Sequence, residues 1–214
     1  MQWQKGCGLI FIISAPSGTG KTTLVRRVVE ELADLQFSVS YTTRQPRLNE
    51  REGGDYHFVS PAAFQEMVDR GQFLEWAEVL GNRYGTTLKD VETFRSEGVD
   101  LILDIDTQGA RRVLDKLDRT VSIYVLPPSL RSLRERLVSR GLDSFEMIEY
   151  RLAHARKDME EAHGYDYVIV NEMIDDAAET LKAIVVAERC RKGKNKVLKE
   201  RMKEWEKEDG KNHG

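Results

Sequence analysis

The stretch LIFIISAPSGTGKTTL, Leu9 to Leu24, decides the fold. An apolar, β-branched run at its start enters a loop of small residues, and a lysine and two threonines then open a helix. From Ala15 to Thr22 (Ala15, Pro16, Ser17, Gly18, Thr19, Gly20, Lys21, Thr22) the chain fits the pattern G-x-x-x-x-G-K-[ST], with Ala15 in place of the first glycine. Gly18 and Gly20 let backbone N–H groups turn inward and cradle phosphate oxygens, and the following helix adds its positive N-terminal end. Lys21 reaches the β- and γ-phosphates and the Thr22 hydroxyl can ligate Mg²⁺. Strand, loop, Lys-Thr and helix occur in the required order, so the stretch reads as a nucleotide-phosphate site.

A chain of 214 residues suits one α/β domain with small inserted subdomains. Net charge is −3, which provides no global basic field for nucleic acid. Cys7 and Cys190 are the only cysteines, which argues against a disulfide framework or a zinc site and for a reducing compartment. The longest apolar run, Leu9–Ile13, cannot span a bilayer, and the N-terminus lacks a signal-peptide pattern. The expectation is a cytoplasmic protein with no membrane and no nucleic-acid partner; monomer and homo-oligomer both stay open.

Working outward, the spacing predicts a helix from Thr22 to about Leu35 and a strand at Phe37–Ser40. A strand at Asp55–Val59 and helices at Pro61–Arg70 and Leu88–Ser96 follow, with a mixed aromatic and acidic segment ending in the turn Gly81-Asn82 between them. Leu101–Ile105 is a buried strand, Thr107–Leu114 a helix, and Val121–Leu126 a strand ended by two prolines. Helices at Leu130–Arg140 and Phe145–Glu161, a strand at Tyr167–Val170 and a helix from Asp175 to Ala187 complete the order. Strands alternating with helices after a P-loop give an α/β P-loop kinase core, a parallel sheet flanked by helices. The interval before Leu101 is too long for one connection, so it reads as an inserted subdomain; the arginine-rich pair of helices after Pro128 reads as a smaller one.

Arg44 and Arg47 sit in a polar loop, with Tyr56 and Tyr84 later in the same insert. Two guanidinium forks and two phenols suit a second phosphate pocket, since arginine binds phosphate bidentately; solvated arginines and core tyrosines are the bland alternative. Glu75, between Leu74 and Trp76, can accept from guanine N1–H and N2–H₂, or be a satisfied structural acid. Asp104 and Asp106 end a buried strand, where a P-loop protein places a carboxylate near Mg²⁺; helix capping is the alternative. Arg131, Arg134, Arg136, Arg140, Arg151 and Arg156 concentrate charge in the second insertion, either for a transferring phosphoryl group or as a paired surface. The four histidines form no ligand spacing, and the run from Lys192 to Lys211 reads as a solvated helix.

Taken together, these stretches make the sequence resemble a bacterial-type guanylate kinase. APSGTGKTTL at Ala15–Leu24, FSVSYTTRQPR at Phe37–Arg47, GGDYHFV at Gly53–Val59, FLEWAEVLGNRYGT at Phe73–Thr86, LILDIDTQGA at Leu101–Ala110, RLVSRG at Arg136–Gly141 and YDYVIVN at Tyr165–Asn171 carry the resemblance. It implies ATP + GMP ⇌ ADP + GDP with Mg²⁺, in the service of GMP recycling and GTP supply. It further implies a core of residues 7–38, 99–128 and 165–190, a GMP-binding subdomain of residues 39–98, a lid of residues 129–164 and a charged tail of residues 191–214. Ser40, Glu75, Thr86 and Asp106 would read guanine, while Arg44, Arg47, Tyr56 and Tyr84 would hold the GMP phosphate, with Asp104 beside them. Ala15 to Thr23 and Asn171 would hold ATP, and Thr22 and Asp104 would serve Mg²⁺. Lys21, Arg44, Arg136, Arg140 and Arg151 would act on the transferring group. Ala15, Tyr41 beside Ser40, and the tail beyond Cys190 depart from the family pattern. Another nucleoside monophosphate kinase, or a guanylate-kinase-like domain that binds partners without catalysis, is the competing reading.

Overall fold

The structure, a computed structural model, describes residues 8–48, 50–117, 120–141, 143–191 and 201–205. Cys7, His213 and, of the charged tail, residues 192–200 and 206–214 lie outside the described residues.

A five-stranded parallel sheet carries the fold. Its strands are β1 (Ile10–Ser14), β2 (Leu35–Phe37), β7 (Asp100–Asp104), β8 (Thr120–Leu126) and β9 (Tyr167–Val170), in the order β2-β7-β1-β8-β9. Every residue of β1 is buried, which is why the run is apolar without alternation. Its side chains still divide by parity. Phe11 and Ile13 join Leu24, Val25 and Val28 of α1 (Lys21–Glu31) and Leu181 and Val185 of α7 (Ile174–Cys190). Ile10 and Ile12 face the other way, toward Val91 of α3 (Leu88–Ser96) and Ala110 and Val113 of α4 (Thr107–Lys116).

A second sheet of four strands, in the order β4-β3-β6-β5, joins β3 (Tyr41–Thr42), β4 (His57–Phe58), β5 (Phe73–Val79) and β6 (Asn82–Thr87), with α2 (Pro61–Asp69) following β4. β5 and β6 form an antiparallel hairpin whose register shifts between Phe73 and Glu75. Leu74 of β5 enters the second core cluster, so the smaller sheet is anchored in the larger core. Near the end of the chain, α5 (Leu130–Ser139) and α6 (Phe145–Glu160) pack on each other through Leu133, Leu137, Ile148 and Ala155.

One expected strand moves. Phe37–Ser40 is replaced by Leu35–Phe37, because Leu35 is buried and pairs with Asp100, while Ser38 makes the last contact to β7 through its N–H to the Ile102 carbonyl at 2.9 Å. The chain then leaves for the second sheet, where Tyr41 pairs with Gly85. The Tyr41 ring is taken up against His57 at 4.6 Å and edge-on to Phe73 at 6.1 Å.

Candidate active site

The loop after β1 is shaped by two glycines in the left-handed region, Gly18 at φ 96° and Gly20 at φ 94°. A Cβ at Gly18 would stand 2.7 Å from Leu137 Cδ2 of α5, and one at Gly20 2.9 Å from Asn171 Nδ2. The carbonyl of Thr19 between them is held from outside. Asn171 Nδ2 donates to it at 2.8 Å and Arg136 Nη1 at 2.9 Å. The Thr19 N–H donates back to the Pro16 carbonyl at 3.2 Å, which closes the loop ahead of the α1 N-terminus, an end suited to a phosphate.

Lys21 and Thr22 converge on Asp104, the last residue of β7, which lies beside Ile13 in the parallel register. Lys21 Nζ pairs with the Asp104 carboxylate and donates to the Ile105 carbonyl at 2.9 Å. The Thr22 hydroxyl donates to Asp104 Oδ2 at 2.9 Å. A hydroxyl and a carboxylate at one point are hard oxygen donors of the kind Mg²⁺ takes, with phosphate oxygens and waters completing its shell.

The base-reading candidates meet on the small sheet. Glu75 is buried and lies opposite buried Thr86 in the hairpin. Ser40, also buried, precedes β3 by one residue and falls in line with Thr86, since Tyr41 pairs with Gly85. Asp106 caps α4, its Oδ1 accepting from the Gly109 N–H at 2.7 Å. Burial pushes the Glu75 carboxyl up to about 7, and the charge of Asp106 adds to this against the Thr86 contacts.

The folded value lies above the ordinary 4.5, so the stability that the neutral carboxyl contributes is present at low pH and lost as pH rises through about 7. At pH 8 the ligand-free protein carries a buried charge, and Glu75→Gln is expected to raise its stability by on the order of 3 kcal/mol, with little effect at pH 4.5. Melting curves of both proteins across this range test it; an equal gain at both ends would contradict it.

The second phosphate pocket assembles from the insert. Arg44 Nη2 donates to both oxygens of Glu50, at 2.7 and 2.9 Å, and the Arg47 N–H donates to Glu50 Oε2 at 2.8 Å. The Arg44 guanidinium lies 5.4 Å from the Tyr56 ring centroid, and the Tyr56 and Tyr84 rings are 5.9 Å apart. Arg47 is exposed. Burial pushes the Tyr56 hydroxyl up to about 12, and the next cause is the charge of Asp104. The Asp104 carboxylate pairs with Lys21 and accepts from Thr22.

The arginines of the second insertion divide. Arg136 is spent on carbonyls: Thr19, and through Nη2 those of Asn171 at 2.9 Å and Glu172 at 3.2 Å. Arg151 bonds the Ser17 hydroxyl and Asp143. Arg140 is exposed at the end of α5. Arg134 pairs with Glu149 and Arg131 with Glu135, so those two follow the surface-pair reading. Sequence reasoning missed Glu50 as the partner of Arg44, the carbonyl-binding role of Arg136 and the ion pair of Arg26 with Asp55, which ties α1 to the insert. Only the closeness of Glu50 to Arg44 was a local signal.

These features define a class: a P-loop phosphotransferase. The family model described as Guanylate kinase matches residues 9–188. A guanylate kinase of Geobacter metallireducens is 51% identical over 184 residues, 86% of this chain and 91% of the relative. One from Myxococcus xanthus is 47% identical over 193 residues, 90% and 92% of the two chains. The crystal structure of guanylate kinase from Anaplasma phagocytophilum, 34% identical, superposes with a TM-score of 0.75 and covers 92% of this chain and 94% of that one. The chain belongs to the guanylate kinase family.

Proposed function

We infer that this chain transfers the γ-phosphoryl group of ATP to GMP, giving ADP and GDP by direct in-line displacement. The observation that supports the residue assignment is the end of β7: Asp104 touches Lys21 and Thr22 on the donor side, and Asp106, two residues on, caps α4 at Gly109, where a Cβ would stand 2.6 Å from Glu75 Oε2 on the acceptor side.

ATP binds with its phosphates over residues 15–23 and its adenine toward Asn171. GMP binds with guanine between Ser40, Glu75, Thr86 and Asp106, and with its phosphate on Arg44, Arg47, Tyr56 and Tyr84. To receive that phosphate, Arg44 exchanges the Glu50 carboxylate for a phosphate oxygen, a swap of one anion for another. Thr22 and Asp104 hold Mg²⁺, which neutralises phosphate charge when bound. No side chain acts as a strong base, because a phosphate oxygen is already anionic at neutral pH. Lys21 stabilises charge on the transferring group, and Arg136, Arg140 and Arg151 close over it from a lid of residues 129–164. Closure excludes water that would otherwise hydrolyse ATP. The core of residues 7–38, 99–128 and 165–190 carries the donor site and residues 39–98 the acceptor. Among the described residues no helix is long and apolar enough to cross a membrane, and we place the reaction in the cytoplasm.

Initial rates at varied ATP and GMP test the direct transfer. Intersecting double-reciprocal lines, and label from γ-³²P-ATP appearing in GDP without a labelled protein intermediate, are expected. Parallel lines with a phosphorylated protein would overturn it.

A further inference from the structure

Helix α4 presents three residues of one face to β5. Gly109, Arg112 and Lys116 are spaced i, i+3 and i+7, and each meets a consecutive stretch of that strand. A Cβ on Gly109 would stand 2.6 Å from Glu75 Oε2 and 3.2 Å from Glu75 Cδ. The Arg112 guanidinium lies 5.7 Å from the Trp76 ring centroid. Lys116 Nζ donates to the carbonyl of Leu74. Leu74, Glu75 and Trp76 are thus gripped by a helix that belongs to the larger sheet, although their strand belongs to the smaller one.

Glycine is a poor residue for this place by every local criterion. It sits within the first turn of a ten-residue helix, where alanine would form the helix better. Its φ is not in the left-handed region, so backbone conformation does not demand it. The close carboxylate does. Nothing larger than hydrogen fits between the α4 backbone and Glu75, while the Gly109 N–H is occupied by Asp106 Oδ1.

We propose that Gly109 is a positioning residue for acceptor specificity: its missing side chain lets α4 seat the Glu75 carboxylate where it reads the guanine edge. This rests on the assignment of Glu75 to guanine. A methyl group at position 109 drives the carboxylate from its seat, and a shift of about 1 Å in such a group costs on the order of a hundredfold. The three atoms nearest such a methyl group belong to Glu75 and Asp106, so the donor site is expected to keep its geometry.

The experiment is a kinetic cycle of wild type, Gly109→Ala, Glu75→Asp and the double variant, with GMP and IMP as acceptors and Tm measured on each. Gly109→Ala is expected to raise KM for GMP on the order of a hundredfold, leave KM for ATP within twofold, and narrow the preference for GMP over IMP, which lacks the 2-amino group. Its Tm is expected to change little or to fall, since the helix preference of alanine is set against the displacement of a buried carboxylate. Glu75→Asp, one methylene shorter, is harmful alone but restores part of the GMP affinity when combined with Gly109→Ala, because the shorter acid clears the new methyl group. A KM for GMP within twofold of wild type, an equal rise in KM for ATP, or a double variant no better than Gly109→Ala would overturn the proposal; a fall in Tm that Glu75→Asp does not reverse also counts against it. A Glu75→Ala control separates the two claims. If it leaves GMP use intact, the guanine assignment fails; if it abolishes GMP use while Gly109→Ala does not, only the positioning role fails.

Discussion

Lys21→Ala is expected to lower kcat for phosphoryl transfer about a thousandfold or more while moving KM for GMP by less than threefold. The ammonium group lies between the Ile105 carbonyl at 2.9 Å and the Asp104 carboxylate, and in the proposed reaction it stabilises charge on the transferring group. Removing one preorganised donor from such a site costs roughly a hundred- to a thousandfold, and here a full cation is removed as well. The proposed guanine-reading pair, Glu75 and Thr86, lies on the other sheet, so its binding is expected to survive the change. Lys21→Arg is not expected to rescue, because a planar fork cannot replace a compact ammonium group under that carbonyl. Single-turnover measurements with saturating ATP and GMP check this; a variant retaining a tenth of the wild-type rate would contradict it.

The second large effect belongs to Glu75→Ala. The carboxyl is buried beside Thr86 and pushed up to about 7, so in the proposed assignment hydrogen-bond donors on a ligand favour its charged form. Guanine supplies two, N1–H and N2–H₂, and pairing returns the carboxyl to its charged form. Loss of charge-assisted bonds in a desolvated site is expected to lower kcat/KM for GMP about a thousandfold. Most of the loss falls in KM, since base contacts are made equally in ground and transition states. Comparison of kcat and KM for GMP in both proteins tests this, and a fall confined to kcat would contradict the base-reading role.

Much of this was legible because the signals were local. Residues 15–22 carry their own chemistry, and the parallel sheet follows from apolar runs separated by helical spacing. The hairpin of β5 and β6 was not legible as strands, because the register shift between Phe73 and Glu75 breaks the alternation that marks one. Glu75 stood out as an acid among apolar residues, yet its partners Thr86 and Asp106 are distant in sequence, and only pairing brings them to it. Arg136 was legible as a cation; that it would be used on the Thr19 carbonyl depended on how α5 packs against Gly18. Gly109 looked like an ordinary small residue in QGA until the helix was laid against β5.

The most direct test of the central claim, a P-loop donor site feeding a guanine-reading acceptor site, is ADP formation from ATP and Mg²⁺ with GMP, AMP, CMP and UMP in parallel. Fast turnover with GMP and at least a roughly hundredfold lower kcat/KM with each of the others is the predicted result. Comparable turnover with another monophosphate would contradict the guanine assignment, and GMP binding with no transfer to any acceptor would contradict the catalytic one.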